Sequence, residues 1–417
     1  MRAKLSVPKP RRGRVAGGAL RMAIGASAIG LSVGCALTGS APGRAMAPHA
    51  QLKFVNAVEA STAPGVAGSR AAPRDAAAAD NPLGLPVAPT NGDPLSGARF
   101  FVDHESEASV AARRYPQLRL IADQPGTARF GAFSGPDVGR AVHDYLVRAS
   151  REQPGTVPLL ATYRIVDGHC GNWTPTPGDQ DSYHAFISRF ARGVGRHRAV
   201  LFLEMDSLIT APCLSRQGVS VRMHELQGAI NVLITDCPRL VIYLDAGAAD
   251  ALSAPHAARL LRRAGVGKIQ GFFLNSTHFD WTSKEIRYGD QVSRLTGGKH
   301  FVINTGENGR GPLVPPDRVH QGNEVLCNPA GRGLGPRPTT NTGYPTVDAF
   351  AWTSNPGESG GACVPGAPPT GAFWPAYALM LVRNAHFTVD SHFNRTSTSA
   401  NGTRRRKRSH KHVHGTS

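Results

Sequence analysis

The 417-residue sequence predicts an α/β fold on a mostly parallel sheet, closed or nearly closed into a barrel. Three observations point there. Short apolar runs of strand length alternate with amphipathic, helix-length segments, the pattern of parallel strands joined by helical crossovers. The alternation repeats six or seven times, which suits a barrel; a doubly wound sheet is the other architecture with this pattern. Polar residues also recur just after the strand-like runs, where a barrel gathers them on one face.

The elements follow in order. RFFVD (99–103) reads as an opening strand, and PDVGRAVHDYLVRAS (136–150) has helical periodicity. VPLLATYRIV (157–166) is a continuous apolar strand. SYHAFISRFARGVG (182–195) sets Phe186, Phe190 and Val194 on one helical face. Strand 199–205, helix 218–235, strand 240–245, helix 256–264, strand 269–274, helix 283–295 and strand 300–304 come next. Strand 348–352 and helix 375–385 close the series.

The flanks differ from this body. Residues 1–46 combine basic residues (Lys4, Lys9, Arg11, Arg12, Arg14, Arg21), a weakly apolar segment from Met22 to Leu37 and small residues near Ala45–Ala47. They read as an export signal, with Arg11-Arg12 hinting at the twin-arginine route and Cys35 as an alternative lipid anchor. Residues 47–80 are an Ala/Pro/Gly-rich linker, 81–392 the folded domain and 393–417 a basic, solvated tail. Eight Lys/Arg in 1–46 and six in 404–411 account for fourteen of the eighteen net positive charges. The body is therefore nearly neutral, and no nucleic-acid partner is expected. No body segment has the roughly 20 apolar residues of a membrane helix, so the mature chain is expected to be secreted or envelope-associated, and monomeric.

Cofactor signatures are missing. No GxGxxG follows the first strand and no GxxxxGK[ST] occurs, and the cysteine spacings fit no metal cluster. No cofactor or metal is expected. Of the six cysteines Cys35 lies in the leader; in an oxidising compartment the other five allow two bridges and one free thiol.

The polar strand ends are Asp167 and His169, then Asp206, Asp245, Asn275, Asn304 and Glu358. Each alone fits a loop cap; six converging ends suggest a polar cleft. In LFLEMDSL (201–208), Asp206 follows a buried strand, where desolvation raises a carboxyl towards the value a general acid needs at neutral pH. Glu204 has a second reading, as a buried partner of an Arg or of backbone amides.

Several runs, in order, resemble glycoside hydrolase family 6, the inverting cellulases. LEMDSL is similar to the family's Glu-Pro-Asp-Ser-Leu, and YLDAG (243–247) matches Tyr-Leu-Asp-Ala-Gly. GFFLNST (271–277), FVINTGENGRG (301–311), CNPAGRGLG (327–335) and NTGYPTVDAFAWTSNPGESGGAC (341–363) resemble further family stretches. The resemblance spans about residues 95–390 and implies a distorted (β/α), TIM-like barrel of about seven parallel strands. It implies disulfides Cys170–Cys213 and Cys327–Cys363, leaving Cys237 free. Asp206 takes the place of the family's proton donor. An inverting enzyme also needs a base, or a water relay, on the other side of the sugar, with the two carboxyls typically about 6.5–9.5 Å apart to admit water.

The pattern departs from the family on the other side of the sugar. The base candidate's position is Gly360. The family's second Asp is His169, its Arg-bearing run holds Asn304 and Glu307, and its late Lys is Ser354. His169 is either structural or positioned to organise water, and Asp167 is a candidate replacement carboxylate. Stacking positions hold Ala248, Ala251 and Leu326; Trp173, Trp281 and Trp352 are possible substitutes, Trp352 equally readable as core. Tyr163, Asp245, Asn275 and Glu358 are retained, with Tyr163, Trp173, Asn275 and Glu358 as candidate substrate contacts. The expected function is an exported glycoside hydrolase acting with inversion on cellulose or a related β-glucan, with a β-glucan polysaccharide or oligosaccharide as partner. A catalytically impaired glycan-binding relative is the alternative.

Overall fold

The computed structural model describes residues 92–165, 176–313 and 326–391. The predicted signal, linker and basic tail lie outside this range, as do Asp167, His169, Cys170 and Trp173.

Seven strands form one sheet in chain order, every neighbouring pair parallel: β1 (Thr127–Gly131), β2 (Leu159–Tyr163), β3 (Ala199–Leu203), β4 (Leu240–Asp245), β5 (Gly271–Leu274), β6 (His300–Asn304) and β7 (Val347–Ala351). Among the described residues eight α-helices accompany them: α1 (Glu107–Ala112), α2 (Arg119–Ala122), α3 (Val138–Glu152), α4 (Pro177–Val194), α5 (Arg216–Asp236), α6 (Ala254–Ala264), α7 (Thr282–Leu295) and α8 (Pro375–Arg383). The sheet curls into a half-barrel. Among the described residues no helix is long and apolar enough to cross a membrane.

The opening strand is not RFFVD. Phe100 makes only an isolated bridge to Val157, and the first strand is TARFG at 127–131. Phe100 and Phe101 are buried, so their apolarity reflects packing under the sheet rather than membership of it.

Alternation along the strands divides the core. Leu201, Leu203, Ile242, Leu244, Phe272 and Phe301 face outward against the helices. Ala161, Phe202, Tyr243, Phe273, Val302 and Ala349 face inward and fill the barrel. A third cluster packs α1, α2 and α8 around Trp352 and Leu334. Local chemistry fixes where helices begin and end. Thr176 and Asp179 form a capping box on α4, Ser215 caps α5 through the Gly218 amide, and Gly265 ends α6 at φ 97°.

No backbone ladder joins β1 to β7 among the described residues; a side chain bridges them. Asn355, just past β7, accepts from the Thr127 amide (2.8 Å) and donates to the Thr127 carbonyl (3.0 Å), while Thr127 Oγ1 donates to the Trp352 carbonyl (2.8 Å). The amide of Asn355 supplies the donor and acceptor a neighbouring strand would have offered.

At the N-terminal ends of the strands lies a polar floor. Buried Asp348 accepts from Tyr243 Oη (2.6 Å) and Gln270 Nε2 (2.9 Å) on one oxygen and pairs with His300 Nδ1 (2.6 Å) on the other.

Cys327 and Cys363 are joined, closing a loop worth about 4 kcal/mol of unfolded-state entropy. Cys213 is disulfide-bonded, its partner lying outside the described residues. Cys237 is free and buried, its thiol pushed up to about 12 by desolvation.

Candidate active site

The C-terminal ends of the strands form the mouth, and β3 dominates it. After Leu203 the backbone leaves the strand through two residues in the left-handed region, Glu204 (φ 51°) and Asp206 (φ 67°). Each costs on the order of 1–3 kcal/mol unless its surroundings enforce it. They do. Glu204 is buried; its carboxylate accepts from the Arg164 and Ile165 amides (2.9 Å each), and its own amide donates to Thr162 Oγ1 (3.0 Å). The second reading of Glu204 is the observed one: it clamps the end of β2 to the end of β3.

That clamp turns Asp206 into the mouth. Asp206 is half-buried, its Oδ1 accepts from Thr277 Oγ1 (2.7 Å), and its carbonyl accepts from Thr210 Oγ1 (2.7 Å). Desolvation raises its carboxyl, opposed by the Thr277 hydrogen bond and the nearby His278. Below it, Asp245 at the end of β4 is fully buried. It accepts from the amides of Leu208 (3.1 Å) and Ile209 (3.4 Å) on one oxygen and of Gly247 (3.3 Å) on the other. Burial and the Asp206 charge push Asp245 up to about 7. Its bonds go to the Asp206 loop, so it positions that loop. Arg222 of α5 adds a hydrogen bond to the Ser207 carbonyl.

β5 contributes Thr277 and then His278, which pairs with Asp250 (Nδ1 to Oδ1, 2.8 Å). Burial alone would lower the imidazole; Asp250, with Asp206 and Asp245, raises it. Asn275 is fully buried at φ 65°. Its amide donates to the Asp280 and Asn304 carbonyls (3.2 Å each) and accepts from the Asp280 amide (3.0 Å), which commits it to the scaffold rather than to a substrate. Asn304 is likewise committed, donating to the Asn275 carbonyl (3.0 Å) and accepting from the Thr353 amide (3.0 Å).

On the far side stand the ends of β6, β7 and β1. Glu307 is half-buried; its carboxyl accepts from the Gly357 amide (3.0 Å) and Tyr377 Oη (3.4 Å), and desolvation pushes it up to about 7. Glu358 accepts from Asn355 Nδ2 (2.8 Å) and pairs with Arg129 of β1. Arg129 alternates with outward-facing Phe130, so it projects into the barrel, where Glu307 and Tyr163 both bear on its charge. Gly360 donates to Asn328 Oδ1 (2.8 Å); a Cβ there would find no atom closer than 3.4 Å.

Aromatic surface lies at the ends of β1 and β2. Tyr163 is 43% exposed and Phe133 70%. They flank Gly131, whose Cβ would strike both the Tyr163 carbonyl and the Phe133 ring. Trp352 is core, its indole donating to the Pro336 carbonyl (3.3 Å), and Trp281 is half-buried against Gly311. Sequence reasoning missed Arg129, Phe133, Thr277 and His278. Thr277 sits two residues past Asn275, so the strand-end criterion applied one step further finds it.

A parallel β/α half-barrel whose strand ends converge on strained, desolvated carboxylates belongs to the class in which chemistry sits at the barrel mouth. The profile of "Glycosyl hydrolases family 6" matches residues 102–385, and the chain belongs to that family. It is 32% identical over 300 residues to "Endoglucanase A" of Cellulomonas fimi, covering 70% of this chain and 62% of that protein. It is 30% identical over 315 residues to "Endoglucanase 1" of Streptomyces halstedii, covering 71% of this chain and 90% of that one. Among solved structures, the Mycobacterium tuberculosis endoglucanase Cel6, in complex with methyl-cellobiosyl-4-deoxy-4-thio-β-D-cellobioside, aligns with TM-score 0.64 and 37% identity over 70% of this chain and 99% of that one. The chain thus spans less than two thirds of the Cellulomonas relative and nearly all of the Mycobacterium structure.

Proposed function

We propose that the protein is an exported glycoside hydrolase that cleaves β-1,4-glucosidic bonds of cellulose or a related β-glucan with inversion, Asp206 acting as general acid. One observation carries this. Asp206 sits at the end of β3 on a strained backbone, half-buried, with its carboxyl raised by desolvation and oriented by Thr277. Desolvation shifts a carboxyl in that setting towards its protonated form, the form that gives a proton to a leaving oxygen. Asp245 and Glu204 hold the loop that aims it. The endoglucanase names of the relatives support the substrate class.

Tyr163 and Phe133 supply exposed aromatic faces for sugar stacking, each worth on the order of 1 kcal/mol. Glu358 and Arg129 offer hydroxyl-binding groups on the same side. Asp167 and His169 remain candidates for catalytic support and Trp173 for substrate contact, in the sequence between β2 and α4. A monomer without a nucleic-acid partner completes the reading.

The bare Cα of Gly360 favours a second reading, a glycan-binding relative without turnover. Incubation with cello-oligosaccharides, following the anomeric protons by NMR, separates the two. The α-anomer forms first with the wild type and not with Asp206→Asn if the enzyme reading holds. Saturable binding with no new anomeric signal at high protein concentration selects the binding reading.

A further inference from the structure

An inverting hydrolase pairs its acid with a carboxylate base or a water relay for the attacking water, and Gly360 has no side chain to supply the base. The described strand ends offer six acidic residues, of which Asp250 is already paired with His278. Asp206 is the acid. Asp245 is fully buried with both oxygens on backbone amides. Glu204 is buried and spent on the end of β2. Glu358 is neutralised by Arg129 and held by Asn355. Of the rest, Glu307 alone is a half-buried residue with no ion-pair partner within salt-bridge distance among the described residues.

We propose that Glu307 is the catalytic base, a carboxylate brought in from β6 to do what position 360 does not. The inference rests on the inverting-hydrolase reading above. Its geometry has three parts. Glu307 follows β6, three strands along the curled sheet from β3, so acid and base rise from different walls of one mouth. The Gly357 amide and Tyr377 hydroxyl both donate to its carboxyl and fix its direction. Gly357 belongs to the loop that also carries Glu358 and Gly360, so the replacement carboxylate is bonded to the segment whose own is missing. Arg129 bridges the walls electrostatically: it lies near Glu307 and Tyr163, and Tyr163 in turn lies near Asp206.

The step balances without a co-reactant. Glu307 takes one proton from water as the water oxygen bonds to the anomeric carbon. The bond from that carbon to the glycosidic oxygen breaks with its electron pair going to the oxygen, which takes the Asp206 proton. Glu307 ends protonated and Asp206 ionised; exchange with solvent resets both. The half-buried Glu307 carboxyl, pushed up to about 7, is basic enough to accept that proton.

The test compares wild type, Glu307→Gln, Glu307→Ala and Asp206→Ala on cellotetraose and on 2,4-dinitrophenyl β-cellobioside, whose leaving group needs no proton, with and without sodium azide. Glu307→Ala is expected to lose about 10²–10⁴-fold on both substrates. Asp206→Ala should lose that much on cellotetraose and far less on the aryl glycoside. Azide should restore turnover of Glu307→Ala on the aryl glycoside and yield the α-glycosyl azide. Glu307→Gln keeps the size of the side chain, so it should bind cellotetraose by calorimetry while remaining inactive. Activity of either Glu307 variant within fivefold of wild type overturns the assignment, as does loss on cellotetraose with retained aryl-glycoside turnover. An inert wild type fails the hydrolase reading itself, and the assignment with it; an active wild type indifferent to Glu307 fails the assignment alone.

Discussion

At the N-terminal end of the strands, Asp348 takes hydrogen bonds from Tyr243, Gln270 and His300, three side chains from three neighbouring strands or their approaches. At the C-terminal end, Asp206 takes a single side-chain bond among the described residues, from Thr277, on a backbone held in the left-handed region. Both ends desolvate a carboxylate. The floor surrounds its carboxylate with donors, while the mouth leaves the charged form short of them and spends neighbouring residues on aiming it. The same barrel thus uses buried acid for cohesion at one end and for reactivity at the other.

The comparison can be broken by substitution. Asp206→Asn should lower turnover of cello-oligosaccharides by about 10²–10⁴-fold while leaving the thermal midpoint no lower than wild type. A large drop in the midpoint would make the mouth structural after all. Asp348→Ala should do the reverse. Stranding the donors of Tyr243, Gln270 and His300 is expected to cost about 3 kcal/mol in urea titrations, with unchanged specific activity of the folded fraction at 25 °C.

Titration tests the buried carboxyls from another side. Asp245, Glu307 and the buried Glu225 of α5 are each pushed up to about 7, first by desolvation. Their unfolded values are about 4. Between about pH 4 and 7 the folded state therefore holds more protons than the unfolded one, and these groups make stability fall as pH rises through that window, levelling off above it. The urea midpoint should be higher at pH 5 than at pH 8, and Asp245→Asn should flatten the difference. An unaltered slope in that variant would remove Asp245 as a contributor. Smaller effects belong to the far wall. Asn355→Ala should cost about 1–2 kcal/mol through the two lost bonds to Thr127. Gly360→Ala, with room for its Cβ, should change stability in the same titrations by less than about 0.5 kcal/mol.

Much of this was legible in the sequence, for identifiable reasons. Strands β2 to β7 announce themselves because both faces are buried, and their runs stay apolar. β1 does not, because TARFG turns Arg129 inward and ends in Gly131; a functional side chain interrupts the run that would have revealed the strand. RFFVD was the decoy, apolar through packing alone. At the site, Asp206 and Asp245 stand in recognisable runs. Asn275 occupies an equally recognisable run, yet its amide bonds are internal, and only coordinates separate a scaffold amide from a ligand-binding one. The parts played by Arg129, Phe133 and Glu307 depend on which residues meet across strands far apart in sequence, and periodicity does not encode that.

The Asn355 bridge has a mechanical consequence. A ring of strands laced all the way round opens only by tearing a ladder. This one is fastened at its first and last strands by one amide and one hydroxyl, and the same Asn355 also grips Glu358. The rim can slacken there without unravelling a strand, as a collar loosens at its button. Whatever chain lies along the mouth and displaces Glu358 therefore also pulls on the fastening that sets the width of the opening.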